Sequence, residues 1–339
     1  MRRLALALLI AATLGPAAAQ QPGKVYRVGW VGPGNERCAW PASDTAKGTP
    51  WEGLPLNFSE IALRLALAEL GLVDGRNVAF ERRCYQSHAQ LDGIAADLAS
   101  RNLDAVFTWT VAATLAVKNV LRVPLVFIGS SDPVRDGLVE SIARPGGNVT
   151  GISNQADEVA EKRAQLVREL LPQARTAAVV YARADEDLIF APYARKQSPA
   201  ERVGFQVRRV PVDGWPDIEA ALLAMRQQRP DVLSVLFTAW LRNHAEALLG
   251  LATAEGLPTI CSFTVFVEQG CLMSYSVNST DLHRQAGRLL GKILLGANPA
   301  ETPVEQPIKF ELWLNLKTAA AIGLAVPPAI LARADRVIE

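Results

Sequence analysis

Only three histidines (His88, His244 and His283) and four cysteines (Cys38, Cys84, Cys261 and Cys271) offer side chains suited to acid–base, nucleophilic or soft-metal chemistry near neutral pH. The histidines are far apart on expected helix starts or faces, where each reads as a solvated helix residue rather than a base. No G-x-S-x-G, H-E-x-x-H or Walker A sequence occurs. Gly32-x-Gly34-x-x-Arg37 lacks the third glycine and the following helix that a dinucleotide loop needs. The cysteines show no C-x-x-C spacing, so zinc is not expected. No catalytic residue, metal ligand or cofactor is assigned, and the chain reads as a non-enzyme. The remaining chemistry is that of binding. Thr108-Trp109-Thr110 opens a helix, where hydroxyls and free amides suit a carboxylate; a plain Thr N-cap is the alternative. In Ser130-Ser131-Asp132-Pro133, Pro133 suits the first helical position and Asp132 the N-cap, or Asp132 meets a ligand ammonium or hydroxyl. Trp30, Trp109 and Trp240 fall at expected strand ends and provide flat apolar walls, loop packing being the alternative.

These residues must be positioned by alternating strands and helices. Apolar runs read as strands near 25–31, 77–82, 104–108, 124–128, 176–181, 206–211, 231–237, 258–261 and 271–276. Helical spacing fills the intervals, with helices from 57, at 89–101, from 111, at 157–171, around 190–204, and at 216–228, 241–255 and 280–295. Residues 306–316 run extended. This rhythm implies an α/β fold of two doubly wound parallel-sheet lobes, split near 148–152. In such sheets ligands bind beyond the carboxyl ends of the strands. The loops to inspect begin at Trp30, Thr108, Gly129, Ala182, Thr238 and Ser262, the last bringing Phe263 with it. Residues 33–56, rich in Gly, Pro and polar groups, form a long excursion carrying Cys38, Trp40 and Trp51.

Met1-Arg2-Arg3, the apolar run Leu4–Leu14 and Ala17-Ala18-Ala19 form the pattern of an export signal over residues 1–19. Lys and Arg number 35 against 34 Asp and Glu, a net charge of +1, which excludes a general nucleic-acid binder. The 50% hydrophobic content and mean hydropathy of +0.13 exclude a disordered chain. Export favours disulfides. Of three possible pairings, Cys38–Cys84 with Cys261–Cys271 is favoured. The first ties the excursion to a strand end, and the second closes a short strand–loop–strand segment; four buried free thiols are the alternative.

Two sets of segments carry a family resemblance. One comprises Gly71-Leu-Val-Asp-Gly-Arg-Asn-Val-Ala-Phe-Glu81, Val123-Pro-Leu-Val-Phe127, Ser131-Asp-Pro-Val134, Gly137-Leu-Val139 and Arg144-Pro-Gly-Gly-Asn-Val-Thr-Gly-Ile152. The other comprises Leu272-Met-Ser-Tyr275, Arg284-Gln-Ala-Gly287, Pro307-Ile-Lys-Phe-Glu-Leu312 and Asn315-Leu-Lys317. Over about residues 24–336 the chain resembles the ABC-transporter substrate-binding protein family that includes streptococcal tryptophan/tyrosine-binding receptors. The resemblance implies a type I periplasmic binding protein, a Venus-flytrap of two lobes joined by three crossing segments that closes on its ligand. Lobe 1 would span 24–150 plus 276–305, and lobe 2 would span 151–275 plus 306–339. It implies a periplasmic, monomeric receptor that delivers a small organic ligand to the membrane permease of an ABC importer. A module sensing ligand for a signalling partner and a secreted α/β enzyme are the competing readings. The residues at the strand ends point to a ligand that is aromatic and carboxylate-bearing. Thr108, Thr110, Ser130, Ser131 and Asp132 would hold its polar end, Trp30, Trp109, Trp240 and Tyr275 would form walls, and Thr238 and Phe263 would also meet the ligand. Amino-acid-binding members carry Asp-Asn where this chain has Ala239-Trp240, a departure that removes a partner for an α-ammonium.

Overall fold

The computed structural model describes residues 23–33, 59–190, 197–236 and 239–339. The expected export signal, the excursion beyond Pro33 with Cys38, Trp40 and Trp51, and Thr238 lie outside the described residues. β1 (Tyr26–Pro33) is buried almost throughout, as a strand covered on both faces must be. After it come α1 (Ser59–Glu69), β2 (Val78–Tyr85), a tight helical turn at His88–Gln90, α2 (Leu91–Ala99), β3 (Ala105–Thr108), α3 (Val111–Val120), β4 (Leu125–Ser130) and β5 (Val149–Ser153). These strands form one wholly parallel sheet in the order β2-β1-β3-β4-β5. The hinge that the resemblance implies at Val149–Ile152 falls within β5, a fully buried strand. Thr150 and Gly151 dilute the apolar signal there, and pairing with β4 decides the conformation.

The second lobe begins with α4 (Ala156–Leu170), β6 (Thr176–Ala182), α5 (Glu186–Phe190), α6 (Pro199–Arg202), β7 (Gln206–Val212) and α7 (Trp215–Gln227). It continues through β8 (Val232–Val235), α8 (Ala239–Ala254), β9 (Thr259–Cys261), α9 (Val265–Glu268) and β10 (Met273–Val277). After α10 (Ser279–Leu294), the chain adds β11 (Phe310–Asn315), α11 (Leu316–Ala321), α12 (Pro328–Leu331) and β12 (Arg336–Ile338). The second sheet runs β12-β11-β10-β9-β8-β6-β7, parallel except where β11 lies antiparallel to β10. Two expectations change here. The extended stretch from 306 becomes an antiparallel strand only from Phe310. The single helix expected around 190–204 is replaced by α5 and a separate α6, because Pro199 restarts the helix under a Ser198/Glu201 capping box.

The chain passes between the sheets three times: after β5, between β10 and α10, and beyond Val304-Glu305, where Glu305 still bridges Ile152 of the first sheet. α10 returns to the first lobe, where Leu282, Ala286, Leu289 and Leu290 join Val28, Trp30, Leu63 and Leu67 in one core. Its approach to α1 depends on Gly287, where any Cβ would meet the Leu63 carbonyl oxygen. A second core, with Leu166, Val167 and Leu170 of α4 against Ile260, Leu272 and Leu312, anchors the other lobe. No helix among the described residues is long and apolar enough to cross a membrane.

Candidate functional site

Strand ends and helix starts from both lobes converge on a cavity of about 420 Å³. From the first lobe, Trp109, Thr110, Gly129 and Ser131 form its wall; from the second, Arg163, Asp185, Ser262 and Phe263 do, with Ser276 on the crossing strand. Trp109 follows β3 directly, and its backbone N–H donates to the Val31 carbonyl (2.9 Å). Its indole and the His283 ring stand in a T-shaped pair, with centroids 4.9 Å apart at 87°. His283 is fully buried and donates from Nδ1 to the Ser279 carbonyl (2.8 Å), so the expected solvated helix residue is a packed support for the cavity wall. The cause is the tight seating of α10 on the first lobe, which sequence spacing did not place.

Thr110 caps α3, accepting from the Ala113 N–H (3.1 Å), and its hydroxyl lies 2.7 Å from the Tyr85 hydroxyl, whose pKa burial pushes up to about 12. Thr108 is fully buried beneath the wall, and its hydroxyl pairs with Thr114 (2.8 Å). Ser130 is buried as well and donates to Asp136 (2.8 Å). Ser131 reaches the cavity, and its hydroxyl accepts from the Asp157 N–H at the start of α4 (3.1 Å), tying the lobes together. Asp132 is exposed and accepts from the Arg135 N–H (3.0 Å) in a single turn ended by Gly137 at φ +71, not in the full helix that Pro133 suggested.

Trp30 lies in the first-lobe core, tilted against Phe107 with the Arg82 guanidinium 4.3 Å from its ring centre, rather than on the cavity wall. Tyr275 stacks on Phe310 (6.2 Å, 15°) and meets the site through its backbone: its carbonyl accepts from Arg163 Nε (3.0 Å). Trp240 lies within α8; its side chain, like Thr238, is outside the described residues. Phe263 and Ser262 line the cavity on the loop between β9 and α9. That loop is closed by the Cys261–Cys271 disulfide, the pairing the sequence favoured. Cys84 is also disulfide-bonded; its expected partner Cys38 lies outside the described residues.

Three wall acids are engaged by the protein itself. Asp136 accepts from Ser130 and Arg135, Asp157 pairs with Arg135 (3.5 Å), and Asp185 of the second lobe meets His88 Nε2 of the first (3.2 Å). The hydrogen bond that His88 donates to Asp185 raises the His88 pKa. Sequence reading missed Arg163 altogether. Its signal was there: Val159, Arg163, Val167 and Leu170 share the buried stripe of α4, and a lone arginine on such a stripe is informative. No cluster of three metal-ligating side chains occurs among the described residues.

The family profile described as ABC transporter substrate binding protein matches residues 60–338. The chain belongs to this family. Its members bind substrates, and the chain is a binding protein rather than an enzyme. A tyrosine-binding protein of Clostridioides difficile is 24% identical over 266 residues, covering 76% of this chain and 74% of that one. A conserved domain protein from Vibrio cholerae superposes with a TM-score of 0.78 at 23% identity, covering 93% of this chain and all (100%) of that one. The ABC domain from Streptococcus pneumoniae in complex with L-Trp gives 0.76 at 22% identity, with the same coverage of 93% and 100%. These likenesses belong to the type I periplasmic binding protein fold, in which the present substrate-binding protein sets its cavity between two α/β lobes.

Proposed function

We propose that this substrate-binding protein is exported to the periplasm, captures a small organic ligand between its lobes and presents it to the permease of an ABC importer. The observation that carries the reading is the 420 Å³ cavity walled by both lobes, at the strand ends where doubly wound sheets bind ligands. The basic, apolar and small-residue segments of Met1–Ala19 support export. Trp109 and Phe263 suit an apolar or aromatic body, and Ser131, Ser262 and Ser276 offer polar contacts around it. Relatives named for tyrosine binding and solved with L-Trp favour a ligand of this size class.

The test is a thermal-shift screen of the purified protein against aromatic acids, aliphatic acids, amino acids and sugars, followed by calorimetry. A true ligand at a hundredfold excess over its Kd stabilises by about 2.7 kcal/mol, a shift readily seen. Loss of uptake of that ligand by cells lacking the protein then establishes the importer role. A screen in which no small organic compound moves the melting temperature would remove the reading.

A further inference from the structure

Arg163 is nine-tenths buried, with 8% of its surface exposed, on the second-lobe side of the cavity. Among the described residues its guanidinium makes one hydrogen bond, from Nε to the Tyr275 carbonyl (3.0 Å). No carboxylate among the described residues lies within ion-pair distance of its guanidinium. Desolvation lowers its pKa to about 10, which leaves it a cation at neutral pH. A buried cation without a counter-charge is costly, and a guanidinium fork matches the planar, paired oxygens of a carboxylate. On the same wall the cavity continues between α4 and the second sheet, past Val167, Val179, Phe205, Val207 and Ile260. These side chains carry no polar group, so the chamber suits a hydrocarbon body. The wall acids Asp136, Asp157 and Asp185 are already paired with Arg135 or His88, and so they do not call for a ligand ammonium.

We propose that the ligand is an organic monocarboxylate: Arg163 takes its carboxylate, and an apolar alkyl or arylalkyl body lies in the chamber between α4 and the second sheet. This rests on the reading of the interlobe cavity as the binding site. It moves the carboxylate from the Thr108–Thr110 loop to α4, because the Thr108 hydroxyl is spent on Thr114 and that of Thr110 on the cap and Tyr85. It also separates the ligand from zwitterionic amino acids.

The experiment is calorimetry with 4-phenylbutyrate and decanoate, their primary amides, and phenylalanine, on the wild-type protein, Arg163→Lys and Arg163→Met. The acids should bind the wild type at least about tenfold more tightly than the amides or phenylalanine, since a charge-assisted pair to a buried guanidinium is strong. Arg163→Met should lose at least about tenfold in acid affinity, keep amide affinity, and melt no lower than wild type, because an uncompensated buried cation is removed. Arg163→Lys should fall between. Amides that bind wild type as well as the acids do, or acid affinity that survives Arg163→Met, would overturn the proposal. So would failure of every acid to bind while the broader screen finds an uncharged or zwitterionic ligand; that outcome leaves the cavity reading standing. Should Arg163→Met fail to fold, the acid–amide comparison on wild type and Arg163→Lys decides the matter.

Discussion

Trp109 owes its place in the cavity wall to its backbone bond to Val31 and to the ring of His283 behind it. Edge-to-face aromatic contacts add modest energy beyond burial, but here the contact also fixes the angle of a wall. Replacing His283 by Ala should therefore lower stability by about 1–3 kcal/mol in urea unfolding, because a buried ring and its bond to Ser279 are lost together. Ligand affinity should fall in parallel as the indole loses its backing. Unchanged stability and affinity would show that Trp109 is held by other means. The threonines of the same loop work as scaffold: Thr110 caps α3 and Thr108 is spent on Thr114. A sequence names such hydroxyls as candidates but does not say whether they point outward or down into the packing.

At the level of elements, the loop carrying Ser262 and Phe263 is defined by what closes it. β9 ends at Cys261, and the disulfide to Cys271 fastens both ends of the segment that contains α9. Closure of a loop of 10 residues removes unfolded-chain entropy equivalent to about 2.5–3 kcal/mol. The paired substitution Cys261→Ala with Cys271→Ala should cost stability of that order. It should also weaken ligand binding, since Phe263 and Ser262 lose their fixed frame; equal affinity in calorimetry would uncouple the loop from the site. The helices and strands themselves follow patterns visible in the chain: α4 and β6 begin within a residue of the positions that periodicity indicates. The exceptions share a physical cause. β5 is short and interrupted by Thr150 and Gly151, and α6 is restarted by Pro199, so neither leaves a run long enough to read.

Across the whole molecule, His88 of the first lobe and the wall residue Asp185 of the second join the two lobes, with the Tyr85 ring beside the imidazole. The hydrogen bond to Asp185 raises the His88 pKa above its ordinary 6.5, so protonation favours the arrangement in which the lobes touch. That contribution is fully present below the ordinary pKa and is lost as pH rises through the raised one. The closed form should therefore be more populated at a pH of about 5.5 than at about 8.5. Small-angle scattering should read this as a smaller radius of gyration at the lower pH. Asp185→Asn should abolish the difference and return the His88 titration toward 6.5 in NMR. A pH response that survives this substitution would assign the effect to other groups.

Local pattern in the chain determined the alternation of strands and helices, the two-lobed α/β architecture and the family, and favoured the Cys261–Cys271 pairing, because periodicity, turn residues and motif segments are properties of neighbouring residues. It also indicated the strand-end loops, and Trp109, Thr110, Ser131 and Phe263 from those loops do line the cavity. Tertiary structure alone decided which side chains reach it. Trp30 turned into the core, His283 came from α10 to support Trp109, and Arg163 met the cavity from the buried stripe of a helix in the other lobe. Those outcomes depend on how elements distant in sequence pack, and burial sets both the environment and the charge state of each group once they have done so.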